Sequence, residues 1–273
     1  MEYRKFGTTD LTVSLIGFGA WGIGGPAMAG SVPIGWGNVD DDVSVRALRR
    51  ARGLGVTFFD TADFYGLGHS EELIGSTFGG SPDVVIATKV GHRLGPSGEI
   101  LLDYGRQHIL RACEQSLRRL RRGTIDYYQL HSARVSHLSE GEAVEAMEQL
   151  RREGKIRYWG ISLNTFHPGP EAEFLIGRKL GHGFQLVWNL LNQRAEPVIR
   201  RAGEEGFGVI ARMPLQFGLL TGKFTASTTF GADDHRSFRL KPATLAKILG
   251  SLEPAWRIAE DLGISRTTLA LSF

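Results

Sequence analysis

The hydrophobic and polar positions of the chain follow two alternating patterns. Short apolar runs predict buried strands, and each run is followed by a stretch whose apolar residues recur at helical spacing. The predicted strands are 15–19, 56–60, 84–89, 125–131, 156–163, 184–190 and 209–215. The predicted helices lie near 43–51, 70–78, 104–122, 142–152, 170–180 and 197–205. Strands and helices therefore alternate, which indicates a parallel sheet with helical crossovers.

This alternation predicts a closed barrel. An uninterrupted series of at least seven strand–helix units fits a (β/α)8 TIM barrel better than an open, doubly wound sheet. Before the first unit, the Gly-Thr-Thr-Asp sequence at 7–10 is a turn signal, and it predicts an N-terminal β-hairpin. A length of 273 residues, 42% of them hydrophobic, suits a single barrel domain over residues 1–273.

Composition and charge narrow the classes of function. No apolar run approaches the ~20 residues of a membrane span, and the N-terminus lacks a signal-peptide pattern. The single cysteine, Cys113, falls on an apolar helix face without a disulfide partner, so we expect a cytoplasmic protein. The net charge of +3 comes from basic clusters on predicted helices, where they are expected to be solvated. This pattern does not favour a nucleic-acid partner, and it leaves the oligomeric state open.

Two local motifs match known signatures only in part. Residues 17–22 form a G-x-G-x-x-G sequence, but the Ile-Gly-Gly-Pro that follows cannot begin the helix that a dinucleotide-binding motif requires. Residues 160–164 lack the second glycine of a nucleophile elbow, because Asn164 stands in its place. No cluster of His and Asp residues is spaced as metal ligands. A serine hydrolase and a metal-dependent hydrolase are therefore disfavoured.

Three predicted strands end in a titratable residue. Asp60, Lys89 and His131 follow apolar runs, and Tyr65 lies one loop after Asp60, just before a helix with Ser70 as its predicted N-cap. Because the carboxyl ends of parallel strands meet at one rim of a barrel, we expect these side chains to converge. Taken singly, each has an ordinary interpretation: an Asx turn, a loop tyrosine, a solvated lysine or a core histidine.

Together, the four residues form a coherent proton-donating set. A phenol has a reference pKa of about 10, which is high for acid–base catalysis near neutral pH, and a neighbouring ammonium favours its ionised form. A carboxylate paired with the ammonium fixes its position, and an imidazole beside the phenol orients a carbonyl oxygen or relays the proton. The sequence therefore predicts a site that donates a proton to a carbonyl group.

The chain resembles the aldo-keto reductase superfamily over nearly its whole length. The matching stretches are 3–7, 13–19, 55–62, 65–66, 70–71, 87–89, 116–120, 125–131, 189–192 and 218–223. The resemblance implies NAD(P)H-dependent reduction of an aldehyde or ketone by direct hydride transfer. It also implies a catalytic tetrad of Asp60, Tyr65, Lys89 and His131, with Tyr65 as proton donor. The implied cofactor is NADPH, with NADH as the alternative.

The resemblance also assigns a cofactor site. The implied cofactor-binding residues are Ala20, Trp21, Asp60, Ser162, Gln185, Arg212, Met213, Pro214, Leu215, Gly218 and Lys223. Ser162 and Gln185 would bind the nicotinamide carboxamide, and Arg212 stands where many members stack an aromatic ring. We expect Trp21, Trp36 and Phe64 to form an aromatic-walled pocket for a small carbonyl substrate.

Two questions stay open at this stage. The family continues through an eighth strand and a helix that hold the adenosine phosphate, whereas this sequence stops within a helical pattern at 265–273. We expect that the last β/α unit is missing from the chain as an omitted or disordered tail, because an open barrel would expose two strand edges. The expected preference for NADPH therefore rests only on the resemblance to the family. The alternative function is a cofactor-binding sensor or regulatory subunit, like the potassium-channel β subunits, with little turnover.

Overall fold

The computed structural model describes residues 1–273. Its strands are β1 (Tyr3–Lys5), β2 (Thr12–Ser14), β3 (Phe18–Gly19), β4 (Met28–Ala29), β5 (Val32–Pro33), β6 (Phe58–Asp60), β7 (Val85–Val90), β8 (His92–Leu94), β9 (Ile100–Leu102), β10 (Ile125–His131), β11 (Ile156–Ser162), β12 (Gly183–Val187) and β13 (Gly208–Arg212). Its helices are α1 (Asp41–Gly53), α2 (His69–Phe78), α3 (Arg106–Leu120), α4 (Val135–Ser139), α5 (Glu142–Arg152), α6 (Gly169–Arg178), α7 (Glu196–Glu204), α8 (Arg236–Arg239), α9 (Pro242–Ser251), α10 (Glu253–Asp261) and α11 (Arg266–Ser272). Short 3-10 turns are Ala20–Ile23, Tyr65–Gly68 and Gln216–Thr221.

Seven strands form one parallel sheet in the order β13-β12-β11-β10-β7-β6-β3. The crossover helices bury their apolar faces against it in one continuous core. The fold is therefore of the predicted (β/α)8 barrel type, with seven strands in the sheet and β3 and β13 at its two edges. The antiparallel pair β1–β2 confirms the predicted N-terminal hairpin. The hairpins β4–β5 and β8–β9, which follow β3 and β7, were not predicted.

Several strands are shorter than the apolar runs that predicted them, and three of these end or begin three residues inside the run. The run at 15–19 pairs only at its last two residues. The runs at 184–190 and 209–215 end at positions 187 and 212. After β12, the Asn189 side chain accepts the backbone N–H groups of two following residues and turns the chain. After β13, Met213 adopts a φ of 58°, which no strand can include.

Phe6, next to the hairpin, seals the N-terminal end of the barrel. Its ring occupies the space that side chains at Gly183 and Gly208 would take: a Cβ atom there would lie 2.6 Å and 2.5 Å from the ring carbons. The ring also makes an edge-on contact with Tyr127, with centroids 4.9 Å apart. Since Gly183 and Gly208 begin β12 and β13, this packing closes the end of the barrel opposite the predicted site.

The outer face of α3 is less solvated than its sequence predicted. Cys113 is fully buried on the apolar face, as expected, and burial raises the pKa of its thiol to about 12. Two of the clustered arginines, however, make structural ion pairs. Arg119 donates to the fully buried carboxylate of Glu71 at 2.6 Å, and Arg122, just after α3, lies 3.2 Å from Asp126. Their guanidinium groups tie α3 to the elements packed around it.

The prediction that Ser70 caps α2 was wrong. The helix follows Gly68, whose φ is 106°, and Ser70 is already inside the first turn. Its hydroxyl donates to the backbone oxygen of Ala20 at 2.9 Å and accepts from the Thr61 hydroxyl at 2.8 Å. Ser70 therefore joins the 3-10 turn after β3 to the loop that follows β6. None of the helices has the length and apolar character required to cross a membrane.

Candidate active site

The C-terminal ends of the barrel strands bring the predicted residues to one rim. Asp60 ends β6, Lys89 lies near the end of β7, and His131 ends β10. In the sheet register, His131 pairs with Ser162, and Ser162 pairs with Gln185. The strand ends therefore form a continuous polar rim, as the alternating pattern predicted.

The ammonium of Lys89 is the centre of this rim. The side chain is fully buried, and Nζ donates to Asp60 Oδ1 at 2.7 Å, to the Thr61 backbone oxygen at 2.7 Å and to the Tyr65 hydroxyl at 3.2 Å. Burial alone lowers the pKa of Lys89, but the charge of Asp60 and the hydrogen bonds to Asp60 and Tyr65 raise it above its ordinary value. The lysine is therefore a fixed positive charge in direct contact with the tyrosine hydroxyl.

Asp60 is held by two further side chains. Its second carboxylate oxygen accepts from Gln129 Nε2 at 3.0 Å and from Gln185 Nε2 at 2.8 Å. Gln129 was not predicted, although it lies two positions before His131 on β10. The two-residue period of a strand places both on the inner face. These bonds fix the carboxylate in the orientation that holds Lys89.

Tyr65 reaches the rim because the chain turns tightly after β6. Gly66, at a φ of 61°, passes so close to the backbone of Gly24 that no side chain fits at this position. The Tyr65 ring stacks on Trp21, with centroids 5.9 Å apart and planes 22° apart, and Lys89 Nζ lies 4.7 Å from the ring centroid. The hydroxyl is thus held between the lysine and the open side of the rim.

His131 is a neutral imidazole beside this hydroxyl. Its ring lies edge-on to Tyr65, at a centroid distance of 5.9 Å, and its Nδ1 is buried without a hydrogen-bond partner. Burial lowers the pKa of His131 well below its usual range, and the charges of Lys89 and Arg212 act in the same direction. A neutral ring keeps one N–H donor available for a ligand oxygen.

The depressed pKa values of these histidines predict an acid-sensitive fold. Burial, with the charge of Lys89, lowers the pKa of His92 to about 4. The unfolded chain therefore binds protons more readily, so stability is full above about pH 6.5 and is lost as the pH falls toward the folded pKa. Urea unfolding gives the free energy of unfolding at pH 7 and at pH 5. We expect His92→Phe to make the difference between these two values about 1–2 kcal/mol smaller. A variant of the exposed His167, His167→Phe, is the control. An unchanged pH dependence in His92→Phe would contradict this account.

A cleft of about 750 Å³ opens over the rim. The predicted site residues that line it are Ala20, Trp21, Trp36, Asp60, Phe64, Tyr65, His131, Ser162, Gln185, Arg212, Met213, Pro214, Leu215 and Gly218. Lys89 lies beneath the cleft and is reached through Tyr65. Lys223 is exposed and does not line the cleft. All predicted residues except Lys223 are thus gathered at one place.

Comparison with known proteins identifies the family to which this arrangement belongs. A model of the "Aldo/keto reductase family" matches residues 15–273. The chain belongs to the aldo/keto reductase family. This finding confirms the resemblance noted in the sequence and makes the protein an oxidoreductase.

Individual members of the family extend the match over nearly the whole chain. "Uncharacterized oxidoreductase YqkF" of Bacillus subtilis (strain 168) is 30% identical over 273 residues, covering 98% of this chain and 82% of that protein. "Aldo-keto reductase YhdN" of the same organism is 34% identical over 241 residues, covering 87% and 69%. Among solved structures, the glycerol dehydrogenase AKR11B4 from Gluconobacter oxydans superposes with a TM-score of 0.80 at 31% identity, covering 98% of this chain and 81% of that one.

Arg212 gives this aldo/keto reductase a half-buried cation on the rim. Its Nη2 donates to the Leu163 backbone oxygen and to the Thr165 hydroxyl, both at 3.2 Å, and its Nε is buried without a partner. Burial lowers the pKa of Arg212, while the negative charge of Asp60 acts in the opposite direction. The guanidinium is therefore held in a fixed orientation at the edge of the cleft.

Two histidines of the cleft were missed by the sequence interpretation. His92 stacks on His131, with centroids 4.2 Å and planes 21° apart. His235 is fully buried and stacks on Trp21 at 4.4 Å, with Trp36 edge-on at 4.7 Å. His92 belongs to an unpredicted hairpin and His235 to the long segment after β13. Neither segment has a periodic pattern that would have placed its histidine at the rim. No group of three or more His, Cys, Asp or Glu side chains is arranged to hold a metal ion.

Proposed function

We propose that this aldo/keto reductase reduces a small aldehyde or ketone to the alcohol with NADPH, and that Tyr65 donates the proton. The contact between the Tyr65 hydroxyl and the buried Lys89 ammonium, 3.2 Å long, carries this proposal. A proton donor needs a hydroxyl whose ionised form is stabilised at the moment of transfer, and a permanent positive charge at this distance provides that stabilisation. Asp60 fixes the charge, and neutral His131 donates a hydrogen bond to the substrate oxygen.

The polar atoms of the cleft fit a nicotinamide cofactor. Ser162 and Gln185 are buried on adjacent strands, and neither the Ser162 hydroxyl nor Gln185 Oε1 has a hydrogen-bond partner within the protein. A hydroxyl and an amide oxygen side by side match the donors and acceptors of a carboxamide. A bound reduced nicotinamide supplies the hydride that reduces the carbonyl carbon. In this proposal Arg212 takes the place of a stacking aromatic ring, since a guanidinium lies flat on ring systems.

Further residues would hold the rest of the cofactor. Ala20 and Trp21 lie beside the rim, and the segment 212–218 follows one side of the cleft. We assign this segment, together with Lys223, to the pyrophosphate. The names of two relatives support a nicotinamide cofactor but do not agree on one form of it. "Aldo-keto reductase yakc [NADP(+)]" of Schizosaccharomyces pombe is 31% identical over 242 residues, and "NADH-specific methylglyoxal reductase" of Escherichia coli is 27% identical over 288.

The walls of the cleft limit the size of the substrate. On one side, the rings of Trp21 and Trp36 meet edge-on, with centroids 5.5 Å apart. On another side, the ring of Phe64 lies edge-on to His92, also with centroids 5.5 Å apart. These aromatic faces exclude water from the reacting carbonyl, which strengthens the electrostatic effect of Lys89. We therefore assign Trp21, Trp36 and Phe64 to substrate binding.

Cofactor absorbance tests the proposed reaction. With a panel of aldehydes, ketoses and diketones, we expect many cycles of NADPH oxidation per active site and one alcohol formed per NADPH consumed. Titration through tryptophan fluorescence, to which Trp21 contributes at the cleft, should give tighter binding of NADPH than of NADH. Equal affinities would contradict the NADPH preference, and the absence of turnover would contradict the reduction.

A regulatory role is the second candidate. "Probable voltage-gated potassium channel subunit beta" of Oryza sativa is 30% identical over 298 residues and covers the whole of this chain. A sensor on this fold would bind the cofactor tightly and oxidise about one equivalent slowly, whereas an enzyme releases product and continues. Stoichiometric oxidation of NADPH followed by arrest would favour the sensor.

A further inference from the structure

One wall of the cleft carries an imidazole that the proposed reaction does not use. His92 lines the cleft between Phe64 and His131. Its ring lies edge-on to Phe64, with centroids 5.5 Å apart, and stacks on His131, with centroids 4.2 Å apart. Neither ring nitrogen of His92 makes a hydrogen bond to any protein group. The ring therefore lies in the cleft wall next to His131, and its nitrogens have no partner in the protein.

Other polar atoms around the cleft also lack partners. His235 is fully buried with both ring nitrogens unpaired, and the indole N–H of Trp36 is buried without an acceptor. Both residues line the same cleft. A purely hydrocarbon ligand would leave these groups unpaired, and unpaired buried polar groups cost binding free energy. The wall around Trp36 and His235 is therefore polar as well as aromatic.

The two stacked imidazoles specify where such an oxygen lies. Their centroids lie 4.2 Å apart and their planes differ by only 21°, so the two rings lie face to face in the wall of the cleft. If His131 binds the reacting carbonyl oxygen, the stacked ring of His92 is within reach of a polar group on the neighbouring carbon. The low pKa of His92, about 4 because of burial and the Lys89 charge, keeps the ring neutral at pH 7. A neutral ring donates to a carbonyl oxygen or accepts from a hydroxyl.

We propose that His92 selects carbonyl substrates with a second oxygen on the adjacent carbon, that is, α-hydroxy carbonyls and 1,2-dicarbonyls. This inference rests on the proposed carbonyl reduction and adds the substrate class to it. His92 acts here as a specificity-determining residue. Sites that hydrogen-bond a substrate group discriminate strongly against analogues without that group, because the binding partner is then left unpaired.

The test compares two ketones of equal heavy-atom count, hydroxyacetone and butanone. The measured quantity is the ratio of their kcat/KM values with NADPH, in the unaltered chain and in His92→Phe. Phenylalanine preserves an aromatic ring against His131 but removes both nitrogens. We expect the ratio to fall at least about tenfold, with the cofactor affinity retained as evidence of an intact fold. His92→Gln, which restores a donor and an acceptor, should recover part of the ratio. His182→Phe changes a histidine outside the cleft and should keep the unaltered ratio.

Each outcome has a distinct meaning. An unchanged ratio in His92→Phe overturns the inference. An equal loss with both ketones also overturns it, because His92 would then only support the ring of His131. No turnover of any carbonyl by the unaltered chain removes the proposed function and this inference with it. Turnover combined with either of the first two results leaves the proposed function standing and rejects the role of His92 alone.

Discussion

Tyr65→Phe should lower the turnover of carbonyl reduction by about 10²- to 10⁴-fold while cofactor affinity stays within about twofold of the unaltered chain. The substitution removes one hydroxyl, which is the group in contact with Lys89. The ring itself keeps its stack on Trp21 and its position near the ammonium. The proton donor is therefore lost, while the shape of the cleft is preserved.

Steady-state NADPH oxidation and a cofactor titration measure the two effects separately. Tyr3→Phe is a matched control, because the Tyr3 hydroxyl also makes a single hydrogen bond, to the Gly55 backbone oxygen at 3.0 Å, on an exposed hairpin far from the rim. This control should keep the turnover of the unaltered chain. Retention of most of the turnover in Tyr65→Phe would show that another group donates the proton.

Lys89→Met should impair both activity and stability. The ammonium makes three hydrogen bonds in a fully buried position, and its loss leaves the Asp60 carboxylate without its charged partner. Breaking a buried ion pair from one side costs about 3–5 kcal/mol. Reduction should slow by at least about 10²-fold. The alkaline limb of the pH–rate profile should also move to higher pH, because the positive charge beside the Tyr65 hydroxyl is gone.

A double-mutant cycle separates these effects. Asp60→Asn combined with Lys89→Met removes both charges, so the double variant should be more stable to urea than Lys89→Met alone. It should remain inactive, because it still lacks the Lys89 ammonium beside the Tyr65 hydroxyl. Lys247→Met, on the exposed face of α9, is the control for loss of a lysine charge. An active Lys89→Met variant with an unaltered pH–rate profile would contradict the Lys89–Tyr65 pair.

The grouping of these four side chains at one rim could be predicted because it follows from local patterns. Asp60, Lys89 and His131 each end an apolar run, and the parallel topology alone brings those ends together. Tyr65 follows within one loop and has little freedom to lie elsewhere. Gln129 could have been found by the same reasoning, since it shares a strand face with His131.

The remaining parts of the site depend on contacts between distant segments. His235 reaches the cleft through packing on Trp21 and a backbone hydrogen bond to Gly35, about two hundred residues earlier in the chain. The periodicity of hydrophobic residues in the sequence does not predict such a contact. Ser70 fits the local pattern of an N-cap, but tertiary hydrogen bonds to Thr61 and Ala20 determine its role. Local propensity fails where a loop is positioned by its neighbours.

The fate of the transferred hydrogen tests the central proposal most directly. The unaltered chain is incubated with a ketone and with reduced cofactor that carries deuterium at the transferable position of the nicotinamide. The proposal predicts an alcohol with deuterium on the former carbonyl carbon, formed one for one with oxidised cofactor, and almost none from Tyr65→Phe. Alcohol without this label, or oxidised cofactor without alcohol, would contradict direct hydride transfer at the Tyr65–Lys89 site.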